Sequence, residues 1–307
     1  MKPARWLLLI AFAAGTAAVA RAVEKKLDMA IIERITGLKP SMVEAESVAR
    51  VTVPRTDVKV CVDGTPLPPF AGLTSWAAFK PGETSEAMVM GDLVLMQDEV
   101  NPVMDACFAN GLTVTALHNH FFYDDPKVFF MHIGGEGTVE QLANGVRKAL
   151  DAVKGVRAAT PLPANGFGGR AITLPSTITA DPIEKALGKK GDSREGMLKF
   201  TFGRTVKMSC GCEVGNAMGV NTWAAFVGTD DHALVDGDFA CLPSELQPTL
   251  RALRKSAINI VAIHNHMEDE EPRVIFLHYW GKGPAAELAK GVRSGLEAQN
   301  AVKSAPD

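Results

Sequence analysis

The chain has 307 residues, 47% of them hydrophobic and 22% charged, and a formal net charge of −3. That length suits two ordinary domains or one domain built from two halves, and the composition supports a packed core. Acidic and basic residues are mixed along the chain, which excludes a basic nucleic-acid groove and a polybasic membrane patch.

At the N-terminus, Lys2 and Arg5 precede an apolar run, WLLLIAFAAGTAAVA, which ends at Ala20-Arg21-Ala22. A positive start, a short apolar run and an A-x-A site are the marks of a secretory signal peptide, cleaved after Ala22. The expectation is a periplasmic or secreted protein with no transmembrane segment in the mature chain, since a span needs roughly twenty apolar residues. Removing residues 1–22 takes three positive charges (Lys2, Arg5, Arg21), so −3 becomes −6.

The mature sequence is one unit written twice. IERITG (32–37) returns as IEKALG (183–188), VTVPRT (51–56) as FTFGRT (200–205), and TSWAAF (74–79) as NTWAAF (221–226). Gly91-Asp92, ALHNH (116–120) and LANGVRKAL (142–150) return as Gly237-Asp238, AIHNH (262–266) and LAKGVRSGL (288–296). A duplication that keeps order and spacing over this length is a strong signal of repeated architecture. The repeats are placed at 23–150 and 181–299, with a Pro/Gly/Ala-rich linker at 151–180 and a tail at 300–307.

Each unit predicts a short amphipathic helix near 28–37 and alternating strands near 48–62. A WAAF strand and a second strand through 86–96 follow. Next comes a helix over 98–110, with Asp98 as its N-cap and Asn110-Gly111 as its stop. LTVTALHNH reads as a strand entering a turn near Asp124-Asp125-Pro126, KVFFMHI as its hairpin partner, and 138–150 as a helix. The fold class is α+β: each repeat is a mostly antiparallel sheet with helices, on a β-β-α-β-β-α core.

Six of the seven histidines fall in two windows of identical spacing, HNH followed eleven residues later by another His. Side chains two apart on a strand share a face, so His118 and His120 project together. A hairpin centred near Asp125 puts His132 opposite His118, and centring near Glu271 does the same for His264, His266 and His278. Trios of imidazoles suit a divalent transition metal (zinc, copper, iron, manganese or nickel) and leave a coordination position open. Asp92 and Asp238, or Glu99 and Glu245, are candidates for an acidic fourth ligand. If the site is catalytic, metal-dependent hydrolysis is the expected chemistry, with Glu99 or Glu245 as general base.

The alternative is a non-catalytic module for a small molecule or a cell-envelope component, in which the histidines are structural. Arg55 and Arg204, each before an equivalent threonine, then clamp an anionic ligand. Trp76 and Trp223 read as core residues or as walls of that pocket. Cys107 and Cys241 align with leucines and read as small core residues, whereas Cys61, Cys210 and Cys212 are open to bridging or redox roles. Neither G-x-S-x-G nor H-E-x-x-H occurs, which excludes those hydrolase motifs.

IE-x4-G, RT before a strand, W-A-x-F, G-D, ALHNH before a Pro-containing turn, FFMH or FLHYWGKG, and LA-x-G-V-R together resemble the LppY/LpqO family. This family is assigned to bacterial lipoproteins and is built on the domain of unknown function numbered 1259. The resemblance covers nearly all of the mature chain and implies export and a repeated domain. It implies no activity, so the chemistry rests on the histidines. The first cysteine is Cys61, so there is no lipobox cysteine and lipid anchoring is not carried over.

Overall fold

The computed structural model describes residues 27–166 and 168–303; the expected signal peptide lies outside the described residues. The first repeat contains α1 (Met29–Thr36), β1 (Ser41–Val43), β2 (Val48–Pro54), β3 (Thr74–Pro81), β4 (Ala87–Met96), α2 (Val100–Ala109), β5 (Thr113–His118), β6 (Val128–Gly137) and α3 (Val139–Ala159). The second contains α4 (Ala180–Leu187), β7 (Asp192–Arg194), β8 (Met197–Gly203), β9 (Asn221–Gly228), β10 (Ala233–Cys241), α5 (Pro243–Lys255), β11 (Asn259–His264), β12 (Ile275–Gly283) and α6 (Ala285–Lys303). The expected α+β class and the β-β-α-β-β-α core recur in both halves.

The halves do not form separate sheets. Their strands join into one antiparallel sheet of twelve, in the order β1-β2-β3-β4-β6-β5-β11-β12-β10-β9-β8-β7. The seam is the β5/β11 pair, where Leu117 faces Ile263. Both side chains belong to a single apolar core that runs through both repeats and includes buried residues of all six helices. The helices therefore cover one face of the sheet, and the repeats share that core.

A bulge interrupts β5 between Val114 and Ala116, and its counterpart interrupts β11 between Ile260 and Ala262. Backbone groups freed at a bulge need other partners. The Gln247 amide accepts from Val114 N at 3.2 Å and donates to Val114 O at 2.6 Å. Asn101, at the aligned position of the first repeat, accepts from Ile260 N at 3.1 Å. Each repeat thus reaches across the seam to mend its partner's bulge.

Two expected details differ. Asp98 is not a helix cap: it pairs with Arg157 and accepts from Ala164 N at 3.0 Å, while Glu99 occupies the N-cap position without a side-chain capping bond. Helix α3 continues to Ala159, nine residues into the segment expected to be linker, because Ala149, Leu150 and Arg157 keep a buried stripe at helical spacing.

Candidate metal centre

The helix-free face carries the histidines. Along β6, Met131 and Ile133 enter the shared core while Phe130 and His132 point the other way. The pleat imposes the same alternation on β4, where Leu93 is core and Asp92 is not. The glycine before each of these aspartates has a packing reason. A Cβ on Gly237 would lie 2.3 Å from both Trp223 O and the Tyr279 hydroxyl, which itself bonds Trp223 O at 3.0 Å. Gly-Asp thus puts a hole on the core face and a carboxylate on the open one.

The register aligns equivalent residues in rows. Trp76, Asp92, His132 and Ala116 are successive cross-strand partners, and so are Trp223, Asp238, His278 and Ala262. The expected hairpin pairing needs correction: His118 faces Phe130, not His132, and His264 faces Phe276. The slip is two residues, so facing is preserved, and His118 and His132 become diagonal neighbours. Instead of a tight hairpin, a longer loop enters the small sheet in which Asp124 and Asp125 pair with Val62 and Cys61.

In the first repeat, the Nε2 atoms of His118 and His132 are 3.0 Å apart. His120 lies beyond the end of β5 and stacks on Phe130 with centroids 3.4 Å apart. In the second repeat, the close pair is His264 and His266, with Nε2 atoms 3.2 Å apart. His266 again stacks on an aromatic ring, Phe276, at 3.5 Å. Its Nε2 is 3.5 Å from Asp238 Oδ2. The donor atoms of Asp238, His264 and His266 all lie within 4.8 Å of one another. His278 stacks on His264 at 4.7 Å and turns Nδ1 toward Gly237 O at 3.4 Å.

Two atoms of this second cluster stand out. Asp238 Oδ1 and His264 Nδ1 are buried without a hydrogen-bond partner. Burial raises the Asp238 carboxyl to about 6 against the pull of His278. Burial, with His278 and His266 nearby, lowers His264 to about 4. Burial likewise lowers His266, and the Gly219 backbone opposes it by bonding the ring. His120 is lowered by burial and by His118. Neutral imidazoles beside a carboxylate are the protonation state a metal requires.

The other candidate residues fall elsewhere. Trp76 and Trp223 are half-buried on the open face, in the same rows as the aspartates, because Ala77 and Phe79 take the core side of the pleat. Arg50 lies 4.5 Å over Trp76 and Lys199 4.6 Å over Trp223. Glu99 and Glu245 are fully buried in ion pairs, Glu99 with Arg55 at 2.7 Å and Arg157 at 2.8 Å, and Glu245 with Arg204 at 2.6 Å. Glu99 also accepts from Met96 N at 2.7 Å, four residues along β4 from Asp92, so it does not meet the histidines. Cys107 and Cys241 are wholly buried in the shared core; Cys61, Cys210 and Cys212 are free thiols. Sequence reading missed Phe130 and Phe276 as platforms, although FFMH and IFLH place a phenylalanine two residues before each third histidine. Among the described residues, no helix is long and apolar enough to cross a membrane.

No curated protein matches the chain. Among solved structures, it is similar to the trimeric bacterial microcompartment shell protein PduB at 11% identity, covering 86% of this chain and 92% of that one, with a TM-score of 0.23. It is also similar to ethanolamine utilization protein EutL from Leptotrichia buccalis C-1013-b at 9% identity, covering 73% and 85%, with a TM-score of 0.20. Such scores carry no argument about assembly or activity. A family profile described as Domain of Unknown Function DUF1259 matches residues 30–152 and again 181–298, so the chain belongs to that family in two tandem copies.

Proposed function

We propose that the protein binds a divalent transition metal on the open face of its sheet, most tightly in the second repeat. The observation that carries this reading is the Asp238–His264–His266 group, whose donor atoms lie within 4.8 Å of one another; Asp238 and His264 each also hold a buried, unpartnered atom, Oδ1 and Nδ1. Leaving such atoms unpaired costs about 1–3 kcal/mol each, a cost a cation would remove at Asp238. Two ligand nitrogens of one tetrahedral ion at about 2.0–2.1 Å lie roughly 3.3 Å apart. The observed pairs, at 3.0 and 3.2 Å, are close to this spacing.

Imidazole and carboxylate donors without thiolate suit zinc, copper, iron, manganese or nickel. Three protein donors leave a position open for water or a ligand oxygen, and His278 stands beside it as a fourth donor or a proton acceptor. We place this activity in the periplasm or outside the cell, on the strength of residues 1–22 alone; N-terminal sequencing of the exported protein should begin at Val23.

The test is elemental analysis of protein purified without a His-tag, before and after reconstitution. The expected result is about one metal per chain, lost in a His264→Ala/His266→Ala variant. Less than about 0.2 metal per chain after reconstitution would refute the reading.

A further inference from the structure

On the opposite, helix-covered side of the sheet, each repeat has a cavity between its first helix, its last helix and the neighbouring strands. The cavities are equivalent by duplication. In the first, of about 320 Å³, Arg55, Arg147 and Leu150 line the wall; in the second, of about 460 Å³, Arg204, Arg293 and Leu296 do. What differs is how the cations are partnered.

In the first repeat the arginines are satisfied internally, and Lys154 is a further, exposed wall cation. Arg55 reaches Asp57 at 2.8 and 2.9 Å, Glu99 at 2.7 and 3.0 Å and Val94 O at 2.7 Å, and its side chain is only 4% exposed. Arg157 pairs with Asp98 and Glu99. In the second repeat, Val206 and Ser244 stand at the positions of Asp57 and Asp98, so both carboxylates are gone. Glu245 faces Arg204 through Nη2, and the Arg204 side chain is 17% exposed.

Three further exchanges keep the second cavity cationic and make it more polar. Lys189 replaces Leu38, Gln299 replaces Val153 and Asn300 replaces Lys154, so the lost carboxylates, not an added cation, set the charge. Lys189 Nζ lies 5.3 Å over the ring of Phe202, another wall residue. No Asp or Glu lines this cavity. Among the described residues, the carboxylates in ion pairs with Lys189, Arg204 and Arg293 are Glu245 on Arg204 and the exposed Glu297 on Arg293, which leaves one positive charge in excess.

We propose that the second-repeat cavity binds a small organic anion bearing a carboxylate or phosphate group, held between Lys189 and Arg204 with Arg293 assisting. A guanidinium fork offers two parallel donors to such a group, and the ammonium adds a mobile point charge. The Phe202 ring and Leu296 cover the ligand's carbon skeleton. The first-repeat cavity, with its carboxylates already seated on its arginines, excludes an anion by the same chemistry.

Isothermal titration of the full, metal-free protein with citrate, inorganic phosphate and glycerol tests this. Saturable binding of at least one anion, at one site per chain, and none of glycerol is expected; which anion binds distinguishes carboxylate from phosphate. Lys189→Gln and Arg293→Gln should each weaken that affinity about tenfold, with Lys290→Gln, elsewhere on the α6 surface, unchanged. The His264→Ala/His266→Ala variant should bind the anion normally. The proposal fails if neither anion binds below about 10 mM. It also fails if Lys189→Gln and Arg293→Gln bind like the parent, or if the histidine variant abolishes binding.

Discussion

Asp238 Oδ2 sits 3.5 Å from His266 Nε2, and its second carboxylate oxygen is buried without a hydrogen-bond partner. In the first repeat, the aligned Asp92 likewise has a buried, unpartnered Oδ1, but among the described residues it belongs to no such close group, and the close contact there joins His118 to His132. Asp238→Asn keeps the shape and removes the charge. Zinc affinity measured by competition with a chelator should fall at least about tenfold, whereas Asp92→Asn should leave the tight site intact. Equal effects of the two substitutions would contradict the assignment of that site to the second repeat.

The metal-free protein should have an unusual pH response around the same residues. Asp238 is raised from its ordinary 3.8 to about 6, so between those values the folded state holds a proton that the unfolded chain has released. Its contribution to stability therefore declines as pH rises through that window. His264 is lowered from 6.5 to about 4, so there the unfolded chain binds the proton and stability grows with pH. The two trends oppose each other. Asp238→Asn should unmask a climb in the urea midpoint from pH 4 to 6 relative to the parent, and His264→Asn should unmask a decline; parallel profiles for all three proteins would discount the coupling.

Which of these features could be read from the sequence depends on whether they are local. The duplication and the pleat put His118 and His132 on one face without any structure, because alternation is a property of each strand. The loop that replaces the tight turn shifts the pairing by two residues, which spares the facing but changes which histidines meet. Trp76 reads as core in W-A-A-F, since only the pleat shows that Ala77 and Phe79 take that side. The seam at Leu117 and Ile263 links residues far apart in the chain, and no local pattern encodes it. Asp238 was legible as one of the acidic candidates, but that it, and not Glu245, meets the imidazoles is set by strand order.

Burial of Glu99 beneath two arginines predicts a difference between the repeats. Glu99→Gln takes one of two carboxylates from both Arg55 and Arg157, which keep Asp57 and Asp98 but are nearly inaccessible to water, and the buried donors left unpaired should cost about 1–3 kcal/mol in urea unfolding. Glu245→Gln strands only Arg204, which is 17% exposed and can hydrate its guanidinium. Its cost should be clearly smaller. A reversed order would mean that the second cavity is drier than its geometry indicates.

The thiols should separate cleanly in a labelling experiment. Cys107 and Cys241 are fully buried, and burial pushes both thiols up to about 12. Cys210 and Cys212 are exposed on a turn closed by Met208 N to Cys212 O at 2.8 Å. A hydrogen bond from Cys212 lowers the Cys210 thiol, and the same contact raises Cys212. The thiolate is the reactive form, so Cys210 should lead. Titrating native, reduced protein with a chromogenic disulfide should show a fast phase that Cys210→Ser removes, and Cys107 and Cys241 should react only after denaturation. A fast phase that survives Cys210→Ser would assign the lead to Cys212 or to the half-buried Cys61.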